Sequence, residues 1–310
     1  MKLTNDMVIK EAHSAGFDLV GFAKAEVLIE EISKLREWLQ RGFQSGMKYM
    51  ERGLEKRKNV NEILLGAKSI ISLALNYYTN EIYSNDSNTG KISRYAWGKD
   101  YHLVIWDKLL ILENSLKKLE PAFNSISYVD TGPVMDKVWA KKAGLGWIGK
   151  HTNLINKEFG SWIFIANIIS NYEFNYSNEI EDFCGSCTAC IEACPTNAIV
   201  EEYVVDANKC ISNLTIENKG EIPSKFKNKF DRWIYGCDIC QEVCPWNIRF
   251  SQITPLQEFR PNNGLTEISL EDVLSMDNTE FKNRFSTSPI KRAKLKGLKR
   301  NAQFLKSESF

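Results

Sequence analysis

The order of apolar and polar residues predicts that helices and strands follow one another through roughly the first 170 residues. Apolar residues at helical spacing, with start and stop signals, predict the helices Asn5–Ser14, Leu28–Arg41, Tyr101–Leu119 and one that begins at Pro133. Short apolar runs predict the strands Asp18–Ala23, Ser69–Asn76, Ser125–Val129 and Trp162–Ser170. This alternation is typical of a layered α/β or α+β domain in which helices cover a sheet.

The rest of the chain divides into two further parts. The polar segment 171–181 separates the layered domain from a cysteine-rich region. We therefore predict a layered domain over residues 1–175, a cysteine-rich domain over 176–250 and a helical basic tail over 251–310. In the tail, Ser288 and Pro289 form a helix start signal. The apolar residues near one face of that helix are Ile290, Ala293, Leu298, Ala302 and Leu305.

The charge of the chain is close to neutral overall but unevenly distributed. The formal net charge is +1, with 43% hydrophobic and 25% charged residues, as in an ordinary globular protein. The segment 281–307 nevertheless holds nine Lys or Arg residues and no Asp or Glu. Such a basic face is either simply solvated or suited to phosphate groups, which add affinity without reading sequence.

The sequence gives no sign of a membrane segment. No apolar run reaches the ~18 residues that a transmembrane helix needs. The N-terminus also lacks the charged-then-apolar layout of a secretory signal. We therefore expect a cytoplasmic enzyme with no membrane partner.

All eight cysteines lie between positions 184 and 244, with the spacing of iron–sulfur ligands. The first run is Cys184-x2-Cys187-x2-Cys190-x3-Cys194-Pro195, and the second is Cys210 followed by Cys237-x2-Cys240-x3-Cys244-Pro245. In bacterial two-cluster ferredoxins, the fourth Cys of each run binds the other cluster. The pattern therefore predicts two [4Fe–4S] clusters, with ligands Cys184, Cys187, Cys190 and Cys244 for cluster one and Cys194, Cys210, Cys237 and Cys240 for cluster two.

Disulfides and zinc are the alternative uses of these cysteines. Disulfides are disfavoured because a cytosolic environment keeps thiols reduced. Zinc sites use cysteine pairs, but this repeated spacing that ends in Cys-Pro is not that of a zinc finger or ribbon.

Asp130 lies where a predicted strand ends and a predicted helix begins, in the sequence Tyr128-Val129-Asp130-Thr131-Gly132-Pro133. Ligand sites of layered proteins often lie at such turns. An aspartate there also commonly caps a helix. The residues alone leave both roles open.

Two other motifs do not have the context that their usual function needs. Gly144, Gly146 and Gly149 have dinucleotide-binding spacing but follow a predicted helix instead of a strand, which excludes NAD binding here. The sequence Asp100-Tyr101-His102 begins like the Asp-x-His-x-x-Gly motif of some cobalamin enzymes, but Ile105 stands where the glycine is required. We therefore interpret His102 as a structural or surface residue.

Several longer motifs occur in a fixed order along nearly the whole chain. They are Leu54-Glu55-Lys56-Arg57, Tyr95-Ala96-Trp97-Gly98-Lys99-Asp100-Tyr101-His102, Val129-Asp130-Thr131-Gly132-Pro133, Ala143-Gly144-Leu145-Gly146-Trp147-Ile148-Gly149-Lys150, Cys184-Gly185-Ser186-Cys187, Cys210-Ile211-Ser212-Asn213-Leu214-Thr215, Tyr235-Gly236-Cys237-Asp238-Ile239-Cys240 and Cys244-Pro245-Trp246-Asn247. In this order they resemble the epoxyqueuosine reductase family, which performs the last step in making the tRNA nucleoside queuosine. The resemblance implies a relation to reductive dehalogenases.

The resemblance implies cobalamin beside the two [4Fe–4S] clusters. The implied class is α+β: a layered α/β cobalamin-binding domain, a two-cluster bacterial-ferredoxin-like domain and a short helical C-terminal tail. Asp130 is implied as the proton donor, and the positions that line the corrin are Arg57, Ser93, Asp130, Leu154, Ile165, Ser212 and Asp238. Because the Asp-x-His-x-x-Gly motif is incomplete, we expect no protein histidine on cobalt. Lys219 falls where the family touches tRNA.

The chain departs from the family pattern at two of these places. Ser93 stands where some members carry Cys, so a thiol directed at cobalt is not part of the mechanism here. His151 stands where Asn is frequent.

The implied reaction is the two-electron deoxygenation of epoxyqueuosine to queuosine at the wobble position of tRNA, with release of water. Cob(I)alamin fed by the two clusters would supply the electrons. The implied partners are tRNAs with a G-U-N anticodon (those for Asp, Asn, His and Tyr) and a low-potential donor such as flavodoxin or ferredoxin, with the chain acting as a monomer. Two alternatives stay open: a dehalogenase-like cobalamin and iron–sulfur reductase of a small molecule, and a non-enzymatic electron carrier.

Overall fold

The computed structural model describes residues 2–262 and 265–307. Its α-helices are α1 (Asn5–Ser14), α2 (Ile29–Gln40), α3 (Leu54–Lys58), α4 (Tyr101–Leu119), α5 (Asp136–Lys142), α6 (Ala189–Glu192), α7 (Ile211–Ile216), α8 (Ile239–Glu242), α9 (Pro245–Phe250), α10 (Leu270–Ser275), α11 (Asn278–Phe285) and α12 (Lys294–Lys306). Its strands are β1 (Leu19–Lys24), β2 (Ser69–Asn76), β3 (Thr89–Ile92), β4 (Ser125–Tyr128), β5 (Trp147–Ile148), β6 (Leu154–Ile155), β7 (Ile163–Ser170), β8 (Ile199–Glu201), β9 (Val204–Val205), β10 (Trp233–Tyr235) and β11 (Glu267–Ser269). None of the helices in these two ranges is long and apolar enough to span a bilayer.

An antiparallel sheet in the order β1-β2-β7-β4 forms the centre of the first part of the chain. Every residue of β2 is buried. Ile71, Leu73 and Leu75 pack in the core that contains residues of α1 and α4, whereas Ile70 and Ala74 pack in the core that contains residues of α5. Helices on both faces explain why this strand is apolar along its whole length.

The structure confirms the α+β class and most of the predicted elements of this part. α1, β2 and α4 have the predicted limits. α4 begins after Asp100, whose carboxylate accepts a hydrogen bond from the backbone N–H of His102 and so caps the helix. The predicted helix start at Pro133 is wrong, because residues 129–134 form bends and α5 begins only at Asp136.

A second sheet, in the order β10-β3-β11, joins three distant parts of the chain. Trp97 and Tyr235 are buried in its core together with residues of the C-terminal helices. Asn301 of α12 donates hydrogen bonds of 2.8 Å to the carbonyl oxygens of Thr215 and Ile234. The C-terminal segment therefore packs as part of this core, while the predicted domain limits stay a prediction.

The basic C-terminal helix differs from the prediction in one respect. The turn signal at Ser288 begins a short 3-10 helix, Pro289–Ala293, and α12 starts separately at Lys294, whose φ is 60°. The apolar residues predicted to share one face are all buried, namely Ile290, Ala293, Leu298, Ala302 and Leu305.

The cysteine-rich segment folds around two short helices, α6 and α8, which pack against each other. Cys190 lies in α6 and Cys240 lies in α8. Cys194 and Cys244 each follow one turn later, and Pro245 then occupies the first position of α9, where no backbone N–H is needed. This packing brings the two cysteine runs side by side.

Candidate functional site

Two cavities in the described part of the chain are lined by cysteines. The smaller has a volume of about 110 Å³, and its cysteines are Cys184, Cys187, Cys190 and Cys244. The larger has a volume of about 240 Å³, and its cysteines are Cys194, Cys210, Cys237 and Cys240. Each cavity combines three residues of one run with one of the other. The structure thus assembles the same two sets of four that the spacing predicts.

The chemistry of these thiols fits a metal cluster. All eight cysteines are free. Burial, followed by the neighbouring thiols Cys244 and Cys184, raises the pKa of Cys190 to about 11. Burial also raises the pKa of Cys210. Four crowded thiols of this kind become thiolates together only when a cationic centre compensates their charge, as an iron–sulfur core does.

The larger cavity also holds two of the residues predicted to line a corrin. Ser93 and Ser212 lie in its wall, together with Tyr95. Ser93 follows β3. Ser212 lies in the first turn of α7, and this helix begins directly after Cys210. The wall that carries four cysteines therefore also presents small polar residues beside an aromatic ring.

Asp238 is buried and already engaged by protein groups. Its carboxylate accepts hydrogen bonds from the Ser93 hydroxyl at 2.5 Å, the Arg94 backbone N–H at 2.7 Å and the Tyr83 hydroxyl at 3.3 Å. Burial raises the pKa of Asp238 despite these donors. Asp238 thus fixes the position of Ser93 in the cavity wall, while a direct contact of its own with cobalamin stays a prediction.

Arg57, Leu154 and Ile165 do not line the cysteine cavities described above. Leu154 and Ile165 pack in the apolar core that also holds Val134. Arg57 is buried and donates a 3.2 Å hydrogen bond to the carbonyl oxygen of Val134. Contact of these three residues with cobalamin stays a prediction.

Asp130 lies in the loop between β4 and α5, at the predicted turn. Its φ of 56° is in the left-handed region, and its side chain is 68% exposed. It caps no helix, because Met135 occupies the N-cap position of α5 without a side-chain hydrogen bond. Gly132 is required in this loop, since a Cβ there would lie 2.0 Å from the ring of Tyr128. The capping interpretation of Asp130 is therefore excluded.

Two side chains from the first turn of α4 point at the Asp130 carboxylate. The Tyr101 hydroxyl donates a 2.7 Å hydrogen bond to Oδ2. Burial and the nearby Asp130 carboxylate raise the pKa of Tyr101, so this hydroxyl keeps its proton and remains a donor. His102 Nε2 lies 3.9 Å from the same oxygen, and its Nδ1 lies 2.8 Å from Asp100.

His102 lies beside the Asp130 loop, and its interpretation as a structural or surface residue stays a prediction. Its Nε2 is buried and makes no hydrogen bond within the described residues. Asp100 is further tied to Lys291 at 2.8 Å, and despite burial these contacts lower its pKa to about 2. An ionised Asp100 therefore orients the imidazole of His102 toward Asp130. The sequence did not indicate that His102 lies near Asp130, because only the fold brings the loop of Asp130 next to α4.

Lys137 of α5 connects Asp130 to the larger cavity, and sequence reasoning missed it. Its Nζ donates to the carbonyl oxygen of Thr152 at 2.8 Å and to Oδ1 of Asn153 at 3.2 Å, and both of those residues line the larger cavity. Desolvation by the surrounding protein lowers the pKa of Lys137, although its side chain is still exposed to solvent. The nearest charged groups include Asp130 and Cys240. No motif marks this lysine in the sequence.

Lys219 lies in an exposed loop that the C-terminal helix supports. Arg300 donates to the carbonyl oxygens of Asn218 and Gly220, on either side of Lys219. Arg292 forms a two-point ion pair with Glu217 at 2.8 and 3.1 Å. Part of the basic tail therefore serves internal contacts.

Lys219, Lys294 and Lys296 are exposed lysines of this region, and we call them the basic rim. Partial burial and the charges of Arg292, Lys294 and Arg300 lower the pKa of Lys219, against the opposing effect of Glu217. Lys294 and Lys296 are exposed. Arg292 is also within electrostatic range of Asp130. The rim and the Asp130 loop therefore lie on one side of the molecule.

Two family models match parts of the chain. Residues 57–131 match the model described as epoxyqueuosine reductase QueG, DUF1730. Residues 183–247 match a 4Fe-4S double cluster binding domain, which contains all eight cysteines.

Curated relatives and solved structures extend this similarity to nearly the full chain. The epoxyqueuosine reductase of Leadbetterella byssophila is 48% identical, over 95% of this chain and 96% of that protein. A crystal structure of an epoxyqueuosine reductase with a tRNA-Tyr epoxyqueuosine-modified stem loop has a TM-score of 0.91 and 35% identity, over 97% of this chain and 80% of that one. A Bacillus subtilis epoxyqueuosine reductase, with an aspartate-bearing catalytic loop swung out of its active site, has a TM-score of 0.90 and 34% identity over the same shares.

Asp136, in the first turn of α5, leads to a prediction about pH. Burial, together with nearby Asp130, raises the pKa of Asp136 to about 7, although Asn167 donates a 2.8 Å hydrogen bond to it. In the unfolded chain this carboxyl ionises near pH ~4. Folding is therefore penalised increasingly as pH rises from ~4 to ~7, and fully above that.

We expect Asp136→Asn to raise the free energy of unfolding at pH 8 by about 2–4 kcal/mol and to have a smaller effect at pH 5.5. Denaturant unfolding at both pH values measures this. Asp107→Asn, at an exposed position of α4, is the matched control and should change neither value. A gain that is equal at both pH values would show that Asp136 does not carry the pH dependence.

Proposed function

The chain belongs to the epoxyqueuosine reductase family, and on that basis we propose that it reduces epoxyqueuosine in tRNA to queuosine. The reaction breaks both C–O bonds of the epoxide, forms a carbon–carbon double bond and releases one water, and it consumes two electrons and two protons. The observation that carries the proposal is the position of Lys137, which donates a hydrogen bond to Thr152 in the wall of the larger cysteine cavity and has Asp130 among its nearest charged groups.

The two cysteine sets are the proposed ligands of the two [4Fe–4S] clusters. Cys184, Cys187, Cys190 and Cys244 hold cluster one, and Cys194, Cys210, Cys237 and Cys240 hold cluster two. Each cavity contains three cysteines of one run and one of the other. This is the ligand pattern of two-cluster ferredoxins, and it supports the assignment. Cluster two then lies on the side of Ser93 and Ser212.

Cobalamin is the proposed occupant of the cleft between the larger cavity and Asp130. This is supported by Ser93, Ser212 and the neighbouring Tyr95, because they line the same cavity as the proposed ligands of cluster two. Arg57, Leu154, Ile165 and Asp238 are also proposed to line the corrin, and no protein histidine is proposed on cobalt. When bound, cobalamin supplies a low-potential cobalt centre that gives electrons to the epoxide, while the clusters supply electrons singly.

Asp130 is the proposed general acid. Its carboxyl is exposed, and the Tyr101 hydroxyl holds one of its oxygens at 2.7 Å, which fixes the direction of the other. Protonating the oxygen that leaves the epoxide is general acid catalysis, which contributes typically 10²–10⁴-fold to a rate. His102, oriented by Asp100, lies 3.9 Å from the same carboxylate oxygen and borders the acid on that side.

The basic rim is the proposed contact surface for tRNA. Lys219, Lys294 and Lys296 offer cationic groups on the side of Asp130, and such groups bind phosphates without reading sequence. We propose tRNAs with a G-U-N anticodon as substrates and a flavodoxin or ferredoxin as electron donor, with the chain acting as a cytoplasmic monomer. This surface and the relatives favour tRNA over a small-molecule substrate.

Anaerobic turnover tests the proposed function. The chain is loaded with iron, sulfide and cobalamin, reduced, and incubated with epoxyqueuosine-containing tRNA, and the nucleosides are then analysed by mass spectrometry. We expect the modified nucleoside to lose the mass of one oxygen atom. Asp130→Asn should lower the rate at least ~100-fold with unchanged cofactor content.

The exposed Asp107→Asn variant is the control for that experiment and should retain the parent rate. Absence of conversion by the fully loaded parent chain would contradict the proposed function. Full activity of Asp130→Asn would contradict only the assignment of the acid.

The double variant Lys219→Ala, Lys296→Ala tests the tRNA surface. We expect weaker binding of all substrate tRNAs, and the slope of log K against log salt should fall by ~0.9 or less for each phosphate that the variant no longer binds. Turnover at saturating tRNA should stay unchanged, since neither lysine touches Asp130. Binding titrations at several salt concentrations measure this, with Lys117→Ala at the far end of α4 as control. Unchanged affinity and slope would place the tRNA elsewhere.

A further inference from the structure

His151 lies between the two cysteine cavities. It follows β5, and it is the single residue, among those described, that lines both cavities. Only 4% of its surface is exposed. Its imidazole is therefore enclosed by the protein at the boundary between the two cysteine sets.

The hydrogen bonds of His151 fix which ring nitrogen carries the proton. The backbone N–H of Asn153 donates to Nδ1 at 3.1 Å, so Nδ1 is an acceptor and holds no hydrogen. The ring proton is then on Nε2. Within the described residues, Nε2 is buried and makes no hydrogen bond. A buried N–H donor without an acceptor is unfavourable, and in native proteins such a group calls for a missing partner.

Sulfur is the acceptor chemistry that both cavities offer to this donor. The residues that line the smaller cavity with His151 include Cys184, Cys187, Cys190 and Cys244, together with apolar and aromatic side chains. Those that line the larger cavity include the other four cysteines. An iron–sulfur cluster in either cavity adds sulfide and thiolate sulfurs, which accept hydrogen bonds.

We infer that His151 Nε2–H donates a hydrogen bond to a sulfur atom of one of the two clusters it separates, and so sets the difference between their reduction potentials. This inference rests on the cluster ligation of the proposed function. The reduced cluster is the more negative one, and a donor to its sulfur therefore stabilises it more than the oxidised cluster. Hydrogen bonds to the sulfurs are among the factors that set cluster potentials. His151 acts here as a positioning residue, through the cluster.

Redox titration followed by electron paramagnetic resonance tests the inference on the chain loaded with both clusters. His151→Phe keeps a buried ring and removes the donor. We expect one of the two midpoint potentials to fall, with about a tenfold change in the ratio of reduced to oxidised cluster at a given potential, or ~59 mV for one electron. His151→Gln, which restores an N–H donor, should recover much of that shift. His13→Phe, on the exposed side of α1, is the matched control and should shift neither potential.

A second measurement uses the parent chain and needs no substitution. The chain contains three histidines, and only His151 lines the cysteine cavities. With ¹⁵N-labelled histidine, pulsed electron paramagnetic resonance of the reduced protein should detect a ¹⁵N nucleus coupled to a cluster. This result stands even if His151→Phe fails to fold.

The outcomes separate the two proposals. Absence of both a potential shift and a ¹⁵N coupling in fully loaded protein would overturn the role of His151 and leave the cluster ligation intact. Failure of the parent chain to assemble two clusters would instead overturn the ligation on which the inference rests.

Discussion

The structure depends on how the two cysteine runs are combined, because each cavity takes three cysteines from one run and one from the other. Cys194 belongs to the first run but lines the larger cavity with three cysteines of the second run. Cys244 belongs to the second run but lines the smaller cavity with three cysteines of the first. This combination requires α6 and α8 to pack against each other, and it requires compensation of several buried thiolates at once. The cofactors are therefore part of the fold as well as of the chemistry. The crossed arrangement also puts one cysteine set in the cavity that Ser93 and Ser212 line.

The charged groups around Asp130 form the second organising feature. Lys291 and His102 both contact Asp100, and Tyr101 and His102 both face Asp130. These residues come from the C-terminal segment, from α4 and from the loop after β4. Asp130 is thus oriented by groups that only the complete fold brings together. The C-terminal segment contributes through Lys291, which contacts Asp100.

Much of the fold could be predicted from the sequence because its signals are local. The apolar run of β2, the helical spacing of α4 and the repeated cysteine spacing each depend on a few neighbouring residues. The start of α5 could not be predicted, because the left-handed backbone of Asp130 and the bends after it override the helix signal at Pro133. β11 was also missed, since it exists only by pairing with β3, far away in the chain. In the site, Lys137 and the partners of Asp238 depend on long-range contacts that no spacing encodes.

Anomalous diffraction at the iron and cobalt edges, from crystals of the chain loaded with iron, sulfide and cobalamin, tests the central claim most directly. The account predicts iron in both cysteine cavities, and cobalt in the cleft beside Ser93 and Ser212, on the side that Asp130 faces and without a histidine ligand. Iron in one cavity only, or cobalt away from that cleft, would contradict it.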